Sequence, residues 1–470
     1  MSERSSSEFD TDSGAGGGTA DSLSRELSDW RAWAARLVII GFAVLSGLAV
    51  IGLTWLSEAA LHTFFALHTA QPWLVLLWTP ALTAGIVWLT RRWAPGAAGS
   101  GIPQVLAAQH EDIAPEQRRL FVSLRLSVAK VLLTSAGLLA GLSTGREGPS
   151  VQVAAGVMHH ARRWLPQRSH INERGLLVAG GAAGVAAAFN TPLGGVVFAI
   201  EELSRRPEDR ASGLLIAAIV IAGLVAVSAF GSGTYFGRIQ VETIGWGMLL
   251  PGLAVTLACG LAGGLFSRLL SWALSPGQDR FRRFRQSRPC LFAAACGLAV
   301  AAIGLASSGH SFGSGYMATR QMLEGQDATQ GLDTALRFLA TWLSAICGVP
   351  GGIFAPSLTM GASIGHEVAS LTSDPKPVLI AIGMAAFLAA VTQAPLTAFI
   401  IVMEMVDGHA MVLSLMGSAM LAAALSRLIA RPLYDTLARQ MVAAAVGTNK
   451  KAPAFADASG EGPDCAGPKR

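Results

Sequence analysis

Between residues 33 and 440 the chain is almost wholly apolar, and its polar positions are gathered into short intervals. The stretches 33–56, 73–90, 211–230, 248–270, 289–306 and 376–403 are each on the scale of a membrane-crossing helix, which takes roughly 20 mainly apolar residues. The pattern predicts an all-α integral membrane protein. Several of these runs are broken from within, by GREGP (145–149), Pro192, GGIFAP (351–356) and Pro395. Proline fits best in the first turn of a helix, and glycine permits the backbone that leads into it. The breaks therefore predict helices that start inside the bilayer. Irregular backbone at that depth survives only where it is packed in protein or lines a watery cavity.

The breaks recur. GGAAGVAAAFNTPLGGVVFAIEE (180–202) aligns with GMAAFLAAVTQAPLTAFIIVMEM (383–405), pairing Gly180 with Gly383, Pro192 with Pro395, Leu193 with Leu396 and Glu201 with Glu404. GPS (148–150) has its counterpart in APS (355–357). Matching interrupted segments in two halves are the mark of a transporter built from repeats. The approximate repeats are 33–231 and 248–429, with a terminal helix at 430–442. The polar stretches 1–32 and 443–470 are expected to be disordered tails.

Composition narrows the function. Charged residues make up 14% of the chain, where a soluble domain carries roughly 25%. The net charge of +5 does not point to nucleic acid, because the arginines crowd into 205–210, 280–288 and the two termini, while 231–247 and 307–320 carry one each. That asymmetry predicts that both tails and the 280–288 loop are cytoplasmic. Cys259, Cys290, Cys296, Cys347 and Cys465 form no CxxC, and the nine histidines are scattered. No metal, cofactor or disulfide framework is expected. GLSTG (141–145) and GASIG (361–365) match the GxSxG pattern of a serine hydrolase, but neither follows a strand, so an enzyme is not expected.

The interrupted helices suggest anion chemistry instead. A helix N-terminus presents unpaired N–H groups and about half a unit of positive charge. Several such ends converging make an anion site without a full positive charge. GSGIP (99–103) presents Ser100 before such a start, GREGP begins a second helix and GGIFAP a third. RPLYDTL (431–437) supplies Tyr434, one of three tyrosines in the chain.

With GSGIP, Lys130 seventeen residues before Glu147, GGIFAP and Tyr434 in that order, the sequence resembles the CLC family of chloride channels and proton-coupled chloride transporters. The resemblance spans residues 33–440. It implies an inverted-repeat fold of many tilted, partly broken helices, and a homodimer in membrane lipid. It also implies a chloride/proton antiporter, with a passive channel or a fluoride- or nitrate-selective member as the alternatives. Ser100 and Tyr434 would bind chloride through their hydroxyls, and Ile353 and Phe354 through their N–H groups. The backbone of Arg146, Glu147 and Gly148 would line an outer site, with the Arg146 side chain turned away. Glu147 would be the external gate, Glu202 the internal proton acceptor and Lys130 a tuning charge on the anion route. One departure concerns Lys130. The segment QVLAAQ (104–109) carries no acid, and the next is Glu111, so Lys130 is either unpaired and partly solvated or paired elsewhere.

Overall fold

The computed structural model describes residues 30–166, 172–204, 213–231, 235–236, 246–325, 331–372 and 376–449. Among these residues the structure is all-helical, apart from one isolated antiparallel bridge between Gly145 and Gly352. Seven helical segments are long and apolar enough to cross a membrane. Two of them, Gln117–Leu139 and His409–Ile429, fall outside the apolar stretches read from the sequence. The first was hidden by Arg118, Arg119, Arg125 and Lys130, whose charges dilute the apolar run.

The first half runs α1 (Trp30–Ala70), α2 (Val75–Trp93), α3 (Ile102–Gln109), α4 (Leu124–Leu139), α5 (Glu147–His160), α6 (Glu173–Phe189), α7 (Pro192–Phe198) and α8 (Gly213–Phe230). The second runs α9 (Leu249–Leu274), a short basic α10 (Arg280–Ser287), α11 (Pro289–Ala306), α12 (Tyr316–Leu323), α13 (Gly331–Ile346), α14 (Phe354–Thr372), α15 (Lys376–Thr392), α16 (Pro395–Met405) and α17 (Val412–Ile429). Lengths recur between the halves: α4 and α13 have 16 residues each, α6 and α15 have 17, and α8 and α17 have 18. The chain closes with α18 (Leu433–Asn449). This helix runs past the boundary at 442 read from the sequence, because MVAAAV continues it with good helix formers. At the other end, helix is already present at Trp30. The remainder of both tails and the basic run 205–210 lie outside the described residues.

The apolar stretch 376–403 is two helices. Gln393 adopts a left-handed backbone (φ 59°) and Pro395 then opens α16. In the first half Asn190 does the same (φ 58°) before Pro192 opens α7. Small residues let the helices before these breaks approach closely. A Cβ on Gly180 would lie 2.8 Å from the Ala154 carbonyl oxygen, and one on Gly383 only 2.1 Å from that of Gly361.

The two breaks are closed by each other. Glu404, near the end of α16, accepts from the N–H groups of Leu193 (3.2 Å) and Gly194 (2.7 Å) at the start of α7. Glu201, in the π-helical turn Ala199–Leu203 that extends α7, accepts from Leu396 (3.1 Å) and Thr397 (2.6 Å) at the start of α16. The two helices therefore pack antiparallel, and each carboxylate caps the orphan donors of the other half. We expect Glu201→Ala and Glu404→Ala each to lower stability by about 1–2 kcal/mol. Thermal unfolding of the purified variants in one detergent checks this, and an unchanged midpoint in both would contradict the reciprocal caps.

Candidate functional site

Three irregular loops meet at the centre of the fold. The Gly145 and Gly352 backbones exchange two hydrogen bonds of 2.8 Å, and the Gly351 N–H donates to the Gly99 carbonyl at 3.1 Å. The Thr144 hydroxyl adds a bond to the Gly352 carbonyl at 3.0 Å. Glycine is required at these contacts. A Cβ on Gly148 would lie 2.4 Å from Ser100 Oγ, and one on Gly352 would lie 2.9 Å from the Gly148 nitrogen. GSGIP, GREGP and GGIFAP, far apart in the chain, are thus brought to one place.

The carbonyls of the 96–99 segment are all occupied. Gln152 donates to Gly96 (2.8 Å), Gln104 donates to Ala98, and Lys130 Nζ donates to both Ala97 (2.8 Å) and Gly99 (2.6 Å). Lys130 is fully buried. Its ammonium is therefore paired elsewhere, with backbone carbonyls rather than with a carboxylate. Drawing the acceptors away leaves the donors of the loops facing the centre. Among the described residues, the Gly148, Ile353 and Phe354 N–H groups have no backbone partner, and the buried hydroxyls of Ser100 and Tyr434 have none either. These two hydroxyls lie near each other without a formed hydrogen bond, with Glu147 and Glu202 in electrostatic reach of Tyr434. Phe354 packs its ring 6.0 Å from both Phe189 and Tyr434. A centre of N–H and O–H donors is chemically suited to an anion that accepts hydrogen bonds and gives none.

Glu147 opens α5 and is buried. Its carboxylate lies among the N–H groups of Arg146, Glu147 and Ala355, between the starts of α5 and α14. Arg146 turns the other way: its guanidinium meets Glu58 (2.9 Å) and the Thr54 carbonyl (3.3 Å) on α1, and Tyr235 (3.5 Å). Only its backbone faces the carboxylate. Glu58 and Tyr235, with Gln104 and Gln152, were missed in the sequence. No spacing links Glu58 to a residue 88 positions away.

Glu202 is 3% exposed. It borders a cavity of about 600 Å³ shared with Glu201, Thr392, Gln393, Arg427 and Arg431. It also borders a narrow gap, lined by Phe198, Phe354, Thr397 and Tyr434, that is too tight for water. The carboxylate thus stands between open space and the buried hydroxyl of Tyr434. Adjacent helix positions point about 100° apart, and the pair divides accordingly: Glu201 caps α16 and Glu202 turns inward. The structure therefore brings together Ser100, Glu147, Gly148, Ile353, Phe354 and Tyr434, with Lys130 behind Ser100 and Glu202 to one side.

Removing the ammonium of Lys130 without its bulk should release two buried carbonyls. We expect Lys130→Met to cost about 1–3 kcal/mol of stability. Gln104→Leu, which orphans the Ala98 carbonyl and the Gly101 N–H, should cost a similar amount. Unfolding curves for the two variants test this, and a Lys130→Met midpoint equal to that of the wild type would show that Lys130 does not hold the loop.

The profile of the voltage gated chloride channel family matches residues 81–427. The H(+)/Cl(−) exchange transporter ClcA of Citrobacter koseri is 30% identical over 412 residues, 83% of this chain and 84% of that protein. The protein of the same name from Vibrio parahaemolyticus is 30% identical over 382 residues, 78% of this chain and 79% of that one. Among solved structures, a slow cyanobacterial Cl−/H+ antiporter superposes with a TM-score of 0.72 at 24% identity, covering 88% of this chain and 98% of that one. A CLC-type fluoride/proton antiporter superposes at 0.70 with 21% identity, over 86% and 97% of the two chains. With its interrupted helices meeting at one donor-lined centre, the chain belongs to the voltage-gated chloride channel (CLC) family of integral membrane proteins.

Proposed function

We propose that the protein is a proton-coupled chloride transporter, exchanging chloride for protons across a bacterial inner membrane. The observation that carries the reading is the Glu147 carboxylate, buried beside the N–H groups at two facing helix starts with its Oε2 left unpartnered among the described residues, and in electrostatic reach of Tyr434. A carboxylate and a chloride are stabilised there by the same donors, so they compete for the same space. The names of the two bacterial relatives support the same activity.

The cycle follows from this competition. Ionised Glu147 occupies an anion position and closes the route. Chloride bound below it, at the Ser100 and Tyr434 hydroxyls and the Ile353 and Phe354 N–H groups, repels the carboxylate and favours its protonated form. The neutral side chain no longer holds to the donors and swings outward. Chloride and proton binding are then linked with the same sign, which is what coupled exchange needs. The buried ammonium of Lys130 adds positive potential behind Ser100 without touching the ion, so binding stays weak enough for release. Protons reach Glu147 from the other side through Glu202, which lies off the line of hydroxyls and opens to the larger cavity.

Arg427, in the last turn of α17, and Arg431 line the cavity that Glu202 borders. By the positive-inside rule that side is cytoplasmic. The apolar surface exposed by Leu193, Ile200, Leu224 and Leu396 on α7, its π-helical turn, α8 and α16 suits a homodimer contact within the lipid.

Reconstituted liposomes with chloride efflux and pH recorded together test the reading. Wild-type protein should drive protons uphill on a chloride gradient. Glu147→Ala should keep chloride flux and lose proton flux, because the moving carboxylate is both plug and proton carrier. Glu202→Gln should also keep chloride flux and lose coupling, while still depending on Glu147 to gate chloride. Chloride flux with no proton flux in the wild type under any gradient would make the protein a passive channel.

A further inference from the structure

A second charged centre lies outside the anion route, where α10 packs on α11 and carries Arg285 within electrostatic reach of Arg91 at the end of α2. We propose that the arginine cluster of α10 and α2 binds the phosphodiester headgroup of an anionic phospholipid. The sequence RFRRFRQSR places five arginines in 280–288, and α2 ends on Arg91 and Arg92. Asp279 is the single acid in 275–289. It is already used, capping α10 through the Arg282 N–H (3.1 Å) and pairing with the Arg282 side chain.

The centre of the cluster is Arg285. Its Nη2 donates to the Leu274 carbonyl at 2.9 Å, but its Nε is buried with no partner. Arg91 and Arg282 both lie in electrostatic reach of it. Burial, followed by these two like charges, holds the Arg285 guanidinium below its ordinary range. Gathering guanidinium groups this way costs free energy unless an anion lies between them. Their planar forks match a phosphate.

The surroundings identify a lipid rather than free phosphate as the source. Phe281 turns inward, stacking on Trp272 (5.4 Å) and meeting Phe292 (5.3 Å), and so pins α10 to the bundle. The outer rim carries Trp88, Trp93, Trp272 and Phe284, all exposed. Aromatic side chains of this kind sit at the level of lipid headgroups, and a short basic amphipathic helix beside them lies in the same plane. A free phosphate would make no use of that rim.

Native mass spectrometry of the full-length protein from mixed micelles tests the site, with phosphatidylglycerol, phosphatidylcholine and inorganic phosphate as probes. Phosphatidylglycerol should be retained over phosphatidylcholine, and rising salt should remove the preference. Arg285→Gln should weaken retention about fivefold and Arg91→Gln/Arg285→Gln about twenty-five-fold, following the roughly 1 kcal/mol that each basic residue contributes near an anionic surface. Arg285→Lys should lose less, and Arg320→Gln, on an arginine paired with Glu324, should lose nothing. The wild-type lipid preference decides the matter even if a variant fails to fold. Equal retention of the two lipids, or inorganic phosphate bound as strongly as phosphatidylglycerol, would overturn the proposal. So would retention that rises only on removal of the acidic segment 1–29, which would assign that segment to the cluster.

Discussion

Backbone that leaves the helix inside an apolar layer must find hydrogen-bond partners without water. This constraint shapes the centre of the molecule. Each unpaired N–H or carbonyl there costs several kcal/mol, and three irregular loops meet in one place. They satisfy one another, through the Gly145–Gly352 exchange and the bond from Gly351 to Gly99. Glycine at these positions is a steric requirement, since a Cβ would enter a neighbouring loop.

The satisfaction is asymmetric, and the asymmetry makes the site. Lys130, Gln104 and Gln152 take the carbonyls of 96–99. The donors at the starts of α5 and α14 are left to the centre, together with the Ser100 and Tyr434 hydroxyls. A positive potential thus arises from oriented dipoles, with the Lys130 ammonium held behind the loop by carbonyls. The absence of an acid after GSGIP is accounted for by this arrangement. A carboxylate beside Lys130 would cancel part of the field that the loop directs inward.

A second consequence falls on the carboxylates. Glu201 and Glu404 each close a helix start in the other half of the fold, so the two halves cannot separate without exposing buried donors. With Glu201 committed to that cap, its neighbour Glu202 faces Tyr434 and borders the larger cavity. A capping acid and an acid that borders the cavity are set side by side by one π-helical turn.

The sequence by itself determined the class of the molecule, because apolar length and charge asymmetry are local properties. It also located the helix starts at Pro103, Pro149, Pro192, Pro356 and Pro395, since proline restricts its own backbone whatever surrounds it. The repeat was legible for the same reason: Pro192 and Pro395 hold one register, and the left-handed turns at Asn190 and Gln393 fall at the same offset. Tertiary structure alone decided the partners. Lys130 reaches carbonyls about thirty residues away, Arg146 reaches Glu58 across 88 residues, and Glu201 reaches α16 across 195. None of these distances leaves a period in the chain. A hydrogen bond is made by whichever groups packing brings within about 3 Å, and packing of buried helices through glycine and alanine carries no polar pattern from which its partners can be read.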